Sequence, residues 1–132
     1  MNFFWRLVAT GIAVVLAFDV AAALASVLIG YPYEYASAGS VLIYATAGYR
    51  AFRGAGLKAA IGAALCIEAA DATLGWALSW WIGPGALPED QRTTLFIAVS
   101  IAFAFLFAAL CAGGGAGLAR LIGGPRRSLP AG

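Results

Sequence analysis

Four side chains set chemistry inside apolar sequence: Asp19, Tyr44, Glu68 and Asp71 all lie within long hydrophobic stretches. A carboxyl group near the centre of a bilayer costs roughly 2.5–3.5 kcal/mol on insertion scales, so acids placed there need compensation and commonly mark ion routes or proton relays. Glu68 and Asp71 are spaced i and i+3, which puts them on one helix face, continued by Ala64, Gly75 and Ser79. Counted inward from Gly30 and Gly83 at the outer ends of their segments, Asp19 and Asp71 sit at nearly equal depth. Glu68 falls about 4.5 Å deeper by helix rise. Tyr44 is aligned with Ser37 and Ser40 on its own segment. The pattern predicts one buried site for a proton or small cation. Asp71 is its central binding group, Glu68 the partner, Asp19 the counterpart from another helix and Tyr44 a hydrogen-bonding neighbour.

No Lys or Arg falls at that depth, and the chain has no histidine. Either the carboxyls are protonated, since burial and mutual repulsion disfavour the charged forms, or a bound cation replaces the missing base. Two classes of function follow. One is proton- or cation-linked transport through the acidic site; the other is a non-catalytic accessory or scaffold subunit whose acids hydrogen-bond to hydroxyls and fix helix packing.

The sequence argues against an enzyme, a metal site or a cofactor. There is no imidazole to serve as base or zinc ligand, no Gly-x-Ser-x-Gly elbow and no phosphate-cradling glycine loop. A two-aspartate hydrolase built on Asp19 and Asp71 would need the pair to share a proton, and nothing flanking them supports it. Cys66 and Cys111, far apart in apolar segments, read as small buried hydrophobes.

Four membrane spans must position these residues. Of the 132 residues 63% are hydrophobic and only 11% charged, against roughly 25% charged in soluble domains. At about 20 residues per crossing, four short-looped helices fill the chain. The predicted spans are about 5–29, 36–52, 58–83 and 93–122, forming one antiparallel up-down domain over residues 1–124 with a short cytoplasmic tail over 125–132. The second span is the shortest and is rich in Ala, Gly, Ser and Thr. Such a helix is expected among neighbours rather than against lipid.

Charge orients the bundle. Arg6 marks the start of the first span, Arg50, Arg53 and Lys58 flank the second loop, and Arg120, Arg126 and Arg127 lie at or beyond the end of the last span, whereas Glu34, Glu89, Asp90 and a single base, Arg92, lie in the other two loops. The excess of basic residues puts both termini in the cytoplasm of a multi-pass protein, with the look of the bacterial inner membrane. Basic residues flanking apolar spans need no nucleic acid to explain them. A competing reading makes the first segment a secretory signal, cleaved after Ala23-Leu24-Ala25; Asp19 and the length of the apolar stretch argue against it.

Ser26-Val27-Leu28-Ile29-Gly30 and Ser79-Trp80-Trp81-Ile82-Gly83 share S-x-x-I-G, each preceded by an aspartate about two turns upstream, which suggests a parallel two-helix repeat. Gly75 and the pair Gly113 and Gly117, in G-x-x-x-G spacing, are expected to mediate helix packing. So small a bundle is expected to associate as a homo-oligomer in the lipid bilayer.

Overall fold

The computed structural model describes residues 2–123, and every described element is helical. The tail expected over 125–132 lies outside the described residues. Four helices follow in order: α1 (Phe3–Ile29), α2 (Ala36–Ala55), α3 (Leu57–Ile82) and α4 (Thr94–Gly123).

The ends of these helices follow local chemistry. Asn2 caps α1 by accepting from Trp5 N at 3.1 Å, and Gly30 closes it in the left-handed region at φ 69°. Pro32 is extended, and a single 3-10 turn, Tyr33–Tyr35, leads into α2. α2 runs past the expected end at residue 52, and only Gly56, at φ 81°, separates it from α3. α3 ends at Gly83 with φ 132°, so both copies of the S-x-x-I-G pattern finish on a positive-φ glycine. The two helices differ elsewhere: α3 contains a π-helical turn over Asp71–Gly75, which α1 lacks.

α1, α3 and α4 are long and apolar enough to cross a membrane. Their outer faces carry Leu28, Leu74, Phe103, Leu106 and Leu110, each more than half exposed, the kind of surface a bundle presents to lipid rather than to water. α2 has the length, at 20 residues, but does not reach the hydropathy of the other three. It packs against all three of them.

Its closest approach is to α4. A Cβ on Gly48 would collide with the backbone of Ala112, and one on Gly115 with the backbone of Ala45. The two backbones therefore meet where side chains shrink to hydrogen or methyl, as small residues permit in membrane bundles. A Cβ added at Gly113 or Gly117, the pair in G-x-x-x-G spacing, would meet nothing within 4 Å among the described residues; Gly115, between them, makes the close contact with α2 instead.

Two apolar clusters fill the interior. One, nearest the α2–α3 connection, joins Leu7, Val8, Ala51, Phe52, Ala60 and Ala119; the other holds Val15, Ala47, Ala64, Ile67, Ala108 and Ala112 around the ring of Tyr44. The acids lie beyond this second layer, toward the end that carries the α1–α2 and α3–α4 loops.

Candidate functional site: an acid–tyrosine cluster under a cavity

Tyr44 reaches from α2 into the centre of the bundle and is only 1% exposed. Its hydroxyl lies 2.6 Å from Glu68 Oε2 and 2.8 Å from Asp71 Oδ2, both on α3. A phenol carries one proton and donates to one of these oxygens at a time. For the other contact to be a hydrogen bond, that carboxyl must itself be protonated and donate to the tyrosine oxygen. The geometry therefore calls for at least one proton held between the two acids.

The π turn shapes this arrangement. It begins at Asp71, and Thr73 Oγ1 donates to Ala69 O at 2.6 Å, giving a carbonyl next to the widened turn a donor. The turn ends at Gly75, where the missing Cβ matters most: Asp19 Oδ2 from α1 and Asp71 Oδ1 both occupy the space a methyl group would take. Asp19 and Asp71 thus flank the same small volume. Asp19 Oδ2 is buried, in a residue 8% exposed, and has no hydrogen-bond partner. Such an orphaned acceptor is costly unless a donor or a proton reaches it.

Above the cluster opens a cavity of about 570 Å³, which Asp19, Glu68 and Asp71 line together with Tyr33, Trp76 and Ser79. Among the described residues, no basic side chain lines it. The α3–α4 loop folds back to form part of its wall. Trp76 Nε1 donates to Gly85 O at 3.2 Å, Gly85 N donates to Ser79 O at 3.1 Å, and Arg92 Nε ties the loop to itself through Leu87 O at 2.9 Å. Gly85 lies so close to the Ser79 side chain that a Cβ would overlap Oγ. Tyr33, from the α1–α2 turn, is half-buried, and its phenol is held above the ordinary tyrosine range first by that burial and, in smaller part, by the nearby charges of Asp19 and Asp71; a hydrogen bond with Ser79 works the other way.

The structure thus brings Asp19, Tyr44, Glu68 and Asp71 into one cluster, with Gly75 as the point of contact between the acids and the helix backbone. Ser37 and Ser40 line the cavity, as does Ser100 of α4. Tyr33 and the Gly85 loop had no signal in helical periodicity, because they join the site through chain reversals. Among the described residues, no group of three or more His, Cys, Asp and Glu has the arrangement to hold a metal ion. Arg50 lies away from the acids, exposed, and shares a second cavity with Arg6, Leu7 and Thr10.

The chain matches no protein-family model, and comparison with curated proteins and with solved structures finds no significant similarity. What fold and site define is a class: an all-helical bundle with three helices fit to span a membrane and a sheltered acid–tyrosine cluster between them.

Proposed function

We propose that this protein is a four-span membrane protein of up-down topology, both termini cytoplasmic, that carries out proton- or cation-linked transport through the cluster of Asp19, Glu68, Asp71 and Tyr44. The observation that carries this reading is Asp19 Oδ2: buried, beside Asp71 at the floor of a cavity and, among the described residues, without a partner and with no basic side chain in the lining. Acids so placed, with no counter-ion, take up and release a mobile positive charge. On this reading the cavity faces outward and Tyr44 relays a proton between Glu68 and Asp71. The layer of Val15, Ala64, Ile67, Ala108 and Ala112 is the closed inner gate. Passage then requires a second state, or a seam between copies in a homo-oligomer, that lets water past this layer. A bacterial inner membrane suits the charge pattern.

A second reading is a non-enzymatic accessory or scaffold subunit. It draws support from Tyr44, whose hydroxyl joins two carboxyls of another helix and so fixes α2 against α3. Reconstitution in liposomes separates the two. Under a pH gradient, with and without small monovalent cations, the transport reading expects proton flux that is lost in Asp71→Asn combined with Glu68→Gln. Absence of flux in the parent, or flux that survives both changes, overturns it. Dissociation of the variants in mild detergent, with no flux in either protein, favours the scaffold.

A further inference from the structure

The same cavity restricts what cation it suits. Its volume of about 570 Å³ lies within the roughly 300–1,000 Å³ of small-molecule sites, far more than a bare ion needs. The walls are largely apolar, formed by Trp76, Leu87, Ile101 and Ala104 among others, while the polar groups converge on the floor. Asp19 and Asp71 line the floor; just beneath it Asp19 Oδ2 has no partner among the described residues and lies beside Asp71 Oδ1. Ser79 lies at the same floor, with Oγ donating to Trp76 O at 3.0 Å. Anions find no basic group there, and the carboxyls are not grouped as a metal would require.

We propose that this cavity binds an amphipathic organic ammonium ion, its N–H groups donating to Asp19 and Asp71 and its apolar body lying against Trp76, Leu87 and Ile101. The inference rests on the reading of the acid cluster as a site of exchangeable positive charge and adds the chemical class of the ligand. A primary ammonium brings three donors to acceptors that lack them. It enters as the cluster gives up a proton: the protonated carboxyl releases H⁺ to water, and the carboxylate left behind pairs with the ammonium, so charge in the site is conserved. The titratable groups that face Asp19 are Asp71 and Glu68 on α3, Tyr44 on α2 and Tyr33 in the α1–α2 turn, with Glu34 at the mouth; α4 contributes none. Binding therefore strengthens as pH rises and competes with protons.

The test is isothermal titration of the reconstituted protein with phenethylammonium chloride, set against phenethyl alcohol and phenylpropionate as neutral and anionic analogues of similar shape. The expected result is saturable binding of the ammonium alone, with about one proton released per ion, and at least about tenfold weaker binding in Asp19→Asn. A second variant, Ala104→Phe, fills the cavity from α4 without replacing an acid, and is expected to abolish ammonium binding while leaving the midpoint of thermal unfolding in detergent near that of the parent. Equal binding of the alcohol, or unchanged affinity in both variants, overturns the proposal. Absence of ammonium binding beside intact, Asp71-dependent proton flux overturns the ligand class alone; absence of both removes the transport reading with it.

Discussion

Gly75→Ala places one methyl group where the account is most exposed. The added Cβ would overlap Asp19 Oδ2 and Asp71 Oδ1, in both cases nearer than real Cβ contacts come, and neither carboxyl has a long flexible stem to swing away. Two effects oppose. Alanine is favoured over glycine in a helix by about 0.8–1.0 kcal/mol. Overpacking a buried site costs about 1–3 kcal/mol. The balance is a net destabilisation of about 0–2 kcal/mol, readable as a lower midpoint of thermal unfolding in detergent. On the transport reading the effect on flux is larger, because the carboxyl pair would be pushed apart and Asp71 drawn from Tyr44. An increase of about 1.4 kcal/mol in the barrier slows proton flux about tenfold. The comparison is Gly113→Ala, which meets open space within the chain and should only gain the helix preference. If Gly75→Ala is as stable as Gly113→Ala and transports like the parent, the two acids do not meet at that point and the site is wrong.

Other expectations follow from single contacts. Tyr44→Phe removes the hydroxyl between Glu68 and Asp71 and should cost about 1–3 kcal/mol in denaturant unfolding, the penalty of buried polar groups left without a partner. Gly48→Ala and Gly115→Ala each drive a methyl into the facing backbone, so overpacking of about 1–3 kcal/mol less the helix gain of about 0.8–1.0 leaves a net loss of about 0–2 kcal/mol; two variants more stable than the parent would contradict the α2–α4 crossing. Gly117→Ala should leave monomer stability unharmed, and a fall in oligomer mass would place that face between copies. An ultraviolet titration compared with Tyr33→Phe should show the Tyr33 phenolate forming above the ordinary value of 10.0. The folded state holds that proton more tightly than the unfolded chain, so its contribution to stability is full below pH 10 and is lost as pH rises further.

Much of this site was legible because membrane helices carry few polar residues and their period is fixed. Hydropathy delimited α1, α3 and α4 to within two residues at each described end. The i, i+3 spacing put Glu68 and Asp71 on one face, and counting from Gly30 and Gly83 brought Asp19 to the depth of Asp71. The π turn was not legible. Asp71 and Gly75, at i and i+4, fit one face of an ordinary helix, and no residue type there marks the widened turn. The glycine pattern on α4 pointed to Gly113 and Gly117, but pairwise spacing does not say which neighbour a face meets. Gly48 and Ala45 of α2 select Gly115, together with Ala108 and Ala112, from a different register of the same helix. Tyr33 and Gly85 join the site through loops that double back, and no periodicity reports on those.

The central claim is that Glu68 and Asp71, joined by Tyr44, hold a proton that can be exchanged. Infrared spectroscopy of the protein in lipid at neutral pH tests it most directly, by the carbonyl stretch that only a protonated carboxyl gives. A protonated-carboxyl band that exchanges with deuterium and disappears in Glu68→Gln combined with Asp71→Asn is the predicted result. A spectrum with ionised carboxylates alone, unchanged by those substitutions, would contradict it.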